Sequence, residues 1–358
     1  MRILFTCGRE PLYVRNDVIL RAIQKRYEVT EVSDSRFKSL TARSLRLLPR
    51  LVSALSRQDF DLIFVGFYGY LLLPWIRRLT DRPILFDAFV SNYDTLCFDR
   101  QKFKPHSLPG WLAFKLDQWA CRWADYILLD TATHRQYFLE TFAVPPEKMD
   151  QLYVSCNEAL FYPQLPPTSP KKFRVFYYSS YLPLHGIEYI LAAAKLLQYD
   201  PTIEFRLIGD GLTYASARRQ AEKLRLTNVH FKPPVPYAHL PTEIAQADLC
   251  LAGPFGHTAK AQRVIPGKLF QFLAMARPVI AGDTPANREW LVGGQDVLFC
   301  PTANSYDLAM AILALKSNSR HRSELAENGY HRYQACAGET VIGQKLAKII
   351  KKAVELPL

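Results

Sequence analysis

The chain has 358 residues, of which 49% are hydrophobic and 22% charged, and its formal net charge is +12. This composition excludes a disordered chain, and the length suffices for two ordinary domains. The positive charge indicates an anionic partner, but it does not distinguish a phosphate-bearing ligand from an acidic membrane. The sequence contains no recognisable nucleic-acid-binding module, so we predict no nucleic-acid partner.

The cysteines and the apolar stretches indicate in which cellular compartment the protein is expected. The seven cysteines are scattered without C-x-x-C spacing, so neither a zinc site nor a disulfide framework is predicted. The N-terminus runs directly into a short apolar strand and lacks the features of a signal peptide. Leu62–Ile76, about 15 residues long, is shorter than the roughly 20 residues needed to cross a bilayer and predicts a buried strand followed by a helix. We therefore expect a cytoplasmic protein.

The first half of the chain alternates apolar strands with helical segments. Strands are predicted at Arg2–Thr6, Tyr27–Ser33, Leu62–Phe67, Pro83–Phe89 and Tyr126–Asp130. Helices are predicted at Arg15–Lys25, Leu71–Leu79 and Trp111–Ala124, with a basic helical stretch before the third strand. This alternation predicts a parallel sheet covered by helices.

A proline-rich segment, Asn157–Lys172, separates this half from a second one with the same alternation. Strands are predicted there at Phe173–Tyr178, Ile203–Gly209, Asn228–Phe231, Asp248–Ala252 and Pro278–Gly282. We predict an α/β fold of two doubly wound, Rossmann-like domains that face each other across a cleft. The predicted bounds are 1–165 for the N-terminal domain, 166–336 for the C-terminal domain, and 337–358 for a C-terminal helix that packs back towards the first domain.

The start of one apolar helix is surrounded by cations. Pro266 suits a first helical turn, and Lys260, Arg263 and Lys268 lie close to the free N–H groups near Gly267. Cations are unfavourable at the positive end of a helix dipole unless an anion lies between them. The segment therefore predicts a phosphate pocket. The alternative is a set of solvated cations beside an ordinary helix start.

Five blocks of the sequence resemble GT-B glycosyltransferases, in particular the large retaining family 4 of the glycosyl transferases group 1 type. The blocks are Ala124–Asp130, Pro183–Leu197, Arg206–Gly211, Ala247–Gly253 and Lys268–Glu289. The resemblance implies a GT-B fold in which the second domain binds a nucleotide sugar, such as a UDP- or GDP-sugar. It further implies a metal-independent hexosyltransferase without a cofactor that acts on a glycan or lipid-linked acceptor, with retention of configuration, in polysaccharide biosynthesis.

Several positions depart from the family pattern. Family members usually carry arginine where Ser180 stands, lysine where His185 stands and glutamate where Gln271 stands. By resemblance the first two contact the diphosphate and the third holds the ribose. The three cations near Gly267 are the candidate replacements for the missing charges. These departures, with Phe89 in place of a usual histidine, leave open a noncatalytic protein that binds a nucleotide sugar or glycan.

Further donor-binding candidates lie in turns and at helix starts. They are Gly8, Gly186, Gly209, Asp210, Gly211, Asp283 and Glu289. The glycines allow backbone to approach a ligand. Asp210 is alternatively a turn former, His185 and Gly186 alternatively mark a helix start, and Glu289 is alternatively a surface residue.

The first domain carries the candidates for catalysis and acceptor binding. Asp87 ends a predicted strand and Asp94 follows it, so either carboxylate is a candidate general base. The alternative is that each caps a loop or pairs with Arg100 or Arg122. The acceptor-binding candidates are Arg9, Glu10, Arg15 and Asn16. They are alternatively surface charges at a capped helix start.

The stretch Arg36–Gln58 is basic, contains no carboxylate and has leucines at helical spacing. Its cations are Arg36, Lys38, Arg43, Arg46, Arg50 and Arg57. This pattern predicts contact with an anionic lipid surface on the inner face of the plasma membrane. The alternative is that the leucines pack on the sheet and the arginines are solvated.

Overall fold

The protein is described by a computed structural model that covers residues 1–36, 39–165 and 172–355. The chain divides into two compact units. Unit 1 comprises Met1–Asn157 together with Glu339–Leu358, and unit 2 comprises Glu158–Gly338. The predicted domain boundary at residues 165 and 166 adjoins a segment outside the described residues.

Both units are built from parallel strands and helices. The strands are β1 Arg2–Cys7, β2 Glu28–Val32, β3 Leu62–Gly66, β4 Ile84–Asp87, β5 Tyr126–Leu129, β6 Met149–Gln151, β7 Phe173–Ser179, β8 Ile203–Gly209, β9 Val229–Lys232, β10 Leu249–Gly253, β11 Val279–Asp283 and β12 Leu298–Pro301. The helices are α1 Val14–Gln24, α2 Leu40–Arg57, α3 Leu73–Leu79, α4 Leu108–Trp123, α5 Ala132–Phe142, α6 Ile187–Leu196, α7 Tyr214–Lys223, α8 Leu240–Ala245, α9 Gly267–Ala274, α10 Pro285–Arg288, α11 Ser305–Ser317, α12 Ser319–Cys336 and α13 Glu339–Glu355.

The sheet of unit 1 has the strand order β2-β1-β3-β4-β5-β6, with parallel pairing throughout. Every residue of β3, β4 and β5 is buried, as expected for a sheet covered on both faces. Apolar side chains of α2, α3, α4 and α5 form one core cluster with the sheet, while α1 and α13 contribute to a second. The chain changes direction across the sheet between β1 and β3.

The sheet of unit 2 has the order β12-β11-β10-β7-β8-β9 and is also parallel. Its core brings side chains of α6 and α11 together with the strands. The chain runs outward from β7 in one direction and then returns to place β10 on the other side. In doubly wound sheets, a ligand site is expected at the carboxyl ends of the two strands that flank this reversal.

The α/β class and the doubly wound arrangement of each unit are confirmed. Three elements were not predicted: the short edge strands β6 and β12, and helix α5. Pro266 lies just before α9 rather than in its first turn. Helix α2 runs through Pro49 without interruption, and that proline is on its exposed side.

Other sequence predictions concern the apolar stretch Leu62–Ile76, the cysteines and a metal site. Leu62–Ile76 forms β3 and the start of α3, as predicted, and none of the helices in the described ranges is long and apolar enough to cross a membrane. All seven cysteines are free thiols, and only Cys336 is not fully buried. Within residues 1–36, 39–165 and 172–355, no group of three or more His, Cys, Asp or Glu side chains is placed to hold a metal ion.

Candidate functional site

In unit 2, the loop after β7 and the loop after β10 are hydrogen-bonded to each other at the point where the strand order reverses. The Gly256 N–H donates to the Leu184 carbonyl at 3.1 Å, and the Phe255 N–H donates to the His185 carbonyl at 3.3 Å. Gly186 has a φ of +65°, and a Cβ there would lie 2.4 Å from the Gly256 nitrogen. Glycine is therefore required at position 186 by packing, and the two loops form one rigid edge above the sheet.

Three basic side chains lie close together at this edge. Lys260 and Lys268 are only 5% and 6% exposed. Burial, together with the positive charges of Lys268 and Lys260, holds the pKa of His185 well below its usual value. The Nδ1 of His185 accepts the Leu182 N–H at 3.2 Å, so the proton of the neutral ring is on Nε2, where it can be donated to an anion.

The ammonium group of Lys268 has no hydrogen-bond partner among the described residues. Its Nζ lies 4.4 Å from the centre of the Tyr177 ring, and burial lowers its pKa to about 7. A buried cation without a partner is costly. The N–H groups at the start of α9 adjoin Lys268, so an anion placed here would be stabilised by both. This geometry supports the predicted phosphate pocket around Lys260 and Lys268.

Other predicted donor-site residues differ in their surroundings. Arg263 is half-buried at the end of a helical turn that begins near Lys260, whereas Ser180 is exposed. Gln271 is buried, and its Oε1 accepts the Tyr178 hydroxyl while its Nε2 donates to the Tyr237 hydroxyl at 3.2 Å. A glutamate has no donor for Tyr237, so the amide matches its two tyrosine neighbours.

The glycine turn after β8 has no room for side chains, and the contact of its glycines with a donor stays a prediction. Gly209 and Gly211 have φ values of +131° and +147°, and a Cβ on either would lie 1.9 Å from a carbonyl oxygen of Ser179 or Ser180. Asp210 is exposed and its Oδ1 accepts the Gly211 N–H at 2.7 Å. These contacts favour the turn-forming alternative for Asp210, and its contact with a donor stays a prediction.

Asp283 and Glu289 flank the short helix α10. The carboxylate of Asp283 is ion-paired with Arg288, and Glu289 is half-buried at the C-terminal end of the helix. Nearby, the buried Asn287 amide donates to the carbonyls of Gly253 and Gly282 at 3.1 and 2.8 Å. Asn287 was not predicted, and it fixes the carboxyl ends of β10 and β11 relative to each other.

In unit 1, the candidate base Asp87 is engaged by Arg15. Both side chains are fully buried, and Arg15 Nη2 and Nε lie 2.9 and 3.1 Å from the two carboxylate oxygens. Arg15 also donates to the carbonyls of Leu152 and Tyr153 at 2.5 and 3.1 Å. Burial raises the pKa of Asp87, and Arg15 opposes that shift. The Arg15–Asp87 ion pair therefore stabilises the fold. The catalytic role of Asp87 stays a prediction, and the burial of its carboxylate does not favour it.

The remaining acceptor candidates lie on the loop after β1. Asn16 is fully buried; its amide donates to the Glu10 carbonyl and accepts the Phe67 N–H, both at 3.0 Å. Arg9 and Glu10 are partly exposed and paired with each other at 2.9 Å. Arg9 and Glu10 are thus the partly exposed members of this group, whereas Asn16 and Arg15 are buried with internal contacts.

Arg43 ties α2 to this same loop. Its guanidinium donates to the Gly8 carbonyl at 2.8 Å and to Glu10 Oε1 at 3.0 Å. Arg43 is fully buried, so it does not belong to the lipid-facing cations of the predicted basic stretch, and Lys38 of that stretch lies outside the described residues. A Cβ on Gly8 would lie 1.9 Å from the Tyr68 carbonyl oxygen, which explains the glycine there.

Asp94 and Phe89 follow β4. Asp94 is buried in a π-helical segment, Asp94–Asp99, and its N–H donates to Ser91 Oγ at 3.0 Å. Phe89 packs on Phe67 with ring centres 4.9 Å apart, and the Arg15 guanidinium lies 5.4 Å from its ring. Phe89 therefore covers the Arg15–Asp87 pair, and Asp94 as a base stays a prediction.

A buried pair at the end of β5 escaped the sequence analysis. His134 Nδ1 and Asp130 Oδ1 are 2.8 Å apart, and both side chains are at most 2% exposed. Asp130 and His134 act electrostatically on Asp87, so three ionisable side chains gather at the carboxyl ends of β4 and β5. The only signal in the sequence was an aspartate four residues before a histidine at a helix start.

Comparisons with known proteins show what this chain is similar to. Residues 172–318 match the family Glycosyl transferases group 1. HepE of Anabaena, solved in complex with UDP and glucose, is 19% identical with a TM-score of 0.73, over 98% of this chain and 99% of that chain. Sucrose-phosphate synthase of Thermosynechococcus elongatus is 14% identical with a TM-score of 0.75, over 98% of both chains.

A third similar structure, TarM, is 15% identical with a TM-score of 0.66, over 85% of this chain and 58% of that chain. No curated protein matches the sequence. The recognition made from the five sequence blocks is confirmed. The protein has the GT-B fold of glycosyltransferases, and its residues 172–318 match the model of the Glycosyl transferases group 1 family.

Proposed function

We propose that the protein transfers a hexosyl group from a nucleotide sugar to a glycan or lipid-linked acceptor, with retention of configuration and without a metal. The observation that carries this proposal is the unpartnered, buried ammonium group of Lys268 beside Lys260 and His185. A nucleoside diphosphate offers the anionic oxygens that the Lys268 ammonium group lacks among the described residues. HepE has been solved in complex with UDP-glucose, which supports a UDP-sugar as the first donor to test.

The proposed chemistry relies on stabilisation of the leaving group. Lys260 and Lys268 neutralise the diphosphate, and His185 Nε2–H and the start of α9 donate hydrogen bonds to it. These groups act most strongly as negative charge develops on the departing oxygen, and they do so in a site largely shielded from water. Mutation of one such group therefore affects both binding and the transfer rate.

The acceptor proton needs a destination other than Asp87, whose carboxylate is engaged by Arg15. In the proposed step, the acceptor oxygen bonds to the anomeric carbon on the face from which the diphosphate departs. The bond from that carbon to the diphosphate oxygen breaks, and the acceptor proton passes to a phosphate oxygen. Arg9 and Glu10, which are partly exposed, are the proposed acceptor contacts. The reaction is proposed to serve polysaccharide biosynthesis at the cytoplasmic face of a membrane.

Thermal unfolding with UDP, GDP and their sugars tests the donor site. We expect a rise in melting temperature with at least one of them, and we expect Lys268→Met to weaken its affinity about tenfold or more because a charge-assisted contact is lost. Lys195→Met, on the exposed side of α6, is the matched control. The ligand-free Lys268→Met protein should be no less stable than the parent, since it loses a buried charge that has no partner.

The alternative function is binding without transfer. It is favoured by the internal contacts of Gln271 and by Ser180 in place of a cation. A protein that binds UDP through Lys268 but releases neither UDP nor sugar from any donor, with any glycan offered, would establish this alternative. A protein whose melting temperature is unchanged by every nucleotide sugar would contradict both functions.

A further inference from the structure

The outward face of α4 carries a row of exposed apolar side chains. Leu108, Trp111, Leu112 and Trp119 are exposed by 70%, 47%, 49% and 39%. Their spacing places them along one stripe of the helix, opposite the side whose Ala120 and Cys121 pack in the core. A stripe of this kind is buried by a partner in most proteins.

Neighbouring helices continue this apolar surface. Helix α3 contacts both α2 and α4, and all three pack on the same core cluster of the sheet. Trp75 and Leu79 of α3, and Leu45 and Val52 of α2, are exposed as well. We name the outward faces of these three helices the α2–α4 surface. Helix α2, which contains most of the predicted basic stretch, forms one edge of it.

The charge of the α2–α4 surface has one sign. The only acidic residue in the three helices is Asp117, and it is fully buried, where it accepts the Ser91 hydroxyl at 2.6 Å and the Tyr93 N–H at 2.9 Å. The cations of the outward faces are Arg46, Arg50, Arg57, Arg78, Lys115 and Arg122. A partner must therefore accept both exposed tryptophan and an unbalanced positive charge.

We propose that unit 1 docks on an anionic lipid bilayer through the α2–α4 surface, with Trp111 and Trp119 at the level of the headgroups. Tryptophan prefers this level, and basic groups beside apolar side chains gain energy from anionic headgroups. A protein partner would have to place carboxylates opposite these cations one by one, whereas an anionic bilayer presents negative charge over its whole surface. The proposal does not depend on the transfer reaction.

The tryptophans themselves report the docking. Of the five tryptophans, Trp75, Trp111, Trp119 and Trp123 lie on α3 and α4, and Trp290 of unit 2 is only 6% exposed. We expect the fluorescence emission of the full-length protein to shift to shorter wavelength on addition of phosphatidylcholine vesicles that contain phosphatidylglycerol. Brominated acyl chains should quench it.

Two variants separate the apolar and the charge contributions, and both keep every tryptophan. Leu108→Ser with Leu112→Ser should weaken vesicle binding about tenfold, since two exposed side chains no longer enter the bilayer. Arg46→Gln with Arg50→Gln should weaken it about fivefold per arginine at low salt. Leu212→Ser in unit 2, where the leucine is 64% exposed, is the matched control and should bind like the parent.

Several outcomes would overturn the proposal. One is the absence of any spectral shift or sedimentation with the vesicles that contain phosphatidylglycerol. Another is equal binding by the Leu108/Leu112 variant and the parent. A third is a dimer, seen by light scattering without vesicles, that these same leucine substitutions dissociate, because the surface would then be a protein interface. Nucleotide binding through Lys268 is measured separately, so its failure leaves the test of docking intact.

Discussion

Two buried cations, one in each unit, differ in what surrounds them. Arg15 of unit 1 has its guanidinium saturated by the Asp87 carboxylate and by the carbonyls of Leu152 and Tyr153. Lys268 of unit 2 is almost as buried, yet its Nζ lies over the face of Tyr177 and has no hydrogen-bond partner among the described residues. The charge of Arg15 is thus compensated within the fold. The second cation lacks its counter-charge, which is what a binding site for an anion requires.

The difference shows why burial of a charge does not by itself identify a site. A polar group that folding has already satisfied has little to offer a ligand, whereas an unsatisfied one gains the full energy of a new contact. The Asp87 carboxylate, a candidate base in the sequence, is thus better explained by its structural contact with Arg15. The start of α9 at Lys268 is the better candidate for a functional site.

The largest effect we predict comes from breaking the complete pair. Asp87→Asn leaves the Arg15 guanidinium buried without a counter-charge, and such changes cost about 3 kcal/mol or more of unfolding free energy. Urea unfolding at neutral pH measures this loss. Asp81→Asn, at an exposed position, is the control and should change stability by less than about 0.5 kcal/mol.

This substitution also tests the comparison itself. If Asp87→Asn unfolded like the parent but had lost its transferase activity, Asp87 would be a catalytic group and the contrast between the two cations would be wrong.

A smaller effect is predicted for the pH dependence of donor binding. Burial lowers the pKa of Lys268 to about 7, and a bound diphosphate favours the protonated form. Affinity should therefore be constant below pH 7 and fall by up to about tenfold per pH unit above it. Calorimetric titration with the best-bound nucleotide sugar, in buffers of different ionisation enthalpy, should show proton uptake at pH 8.

Lys268→Met provides the comparison for this titration. Its weaker binding should lose most of the pH dependence and the proton uptake. An undiminished slope in the variant would assign the titration to another group and remove Lys268 from the site.

The smallest effect concerns a half-exposed pair. Although burial alone raises the pKa of Glu10, a hydrogen bond from its own backbone and the Arg43 guanidinium outweigh burial and hold that pKa below its usual value. Glu10→Gln should cost at most about 1 kcal/mol of unfolding free energy at neutral pH. Since a lowered carboxyl pKa adds stability only while the group is ionised, the difference should disappear as the pH falls through that pKa.

A Glu10 variant with the same deficit at pH 3 as at pH 7 would show that packing, rather than the charge of Glu10, supports Arg43. The measurement is chemical unfolding of parent and variant across this range of pH.

The architecture was largely readable from the sequence because its signals are local. The strand β3 is a continuous apolar run, β1 and β7 are mostly apolar, and α6 follows a glycine and carries a clear apolar stripe. The elements that were missed, β6, β12 and α5, have weaker patterns: two are edge strands of three and four residues, and α5 has polar residues around most of its circumference.

The site was less predictable because its contacts join distant parts of the chain. Lys268 was identified from its helix start, but nothing in the sequence shows that its ammonium group lacks a partner. Arg15 lies 72 residues from Asp87 and 137 from Leu152, so a pattern of neighbouring residues could not reveal their pairing. The tyrosine partners of Gln271 are likewise 93 and 34 residues away.

Unit 1 is discontinuous in the chain, and this has a consequence for its biosynthesis. Its last helix, α13, supplies Ile342, Leu346 and Ile350 to the core that contains Ile3 and Phe5. While the ribosome is still extending the chain, the residues of unit 2 have all been made before those of α13 appear. Unit 2 can therefore fold during translation, whereas the part of the first core that α13 covers, beside α1, stays exposed until synthesis reaches α13.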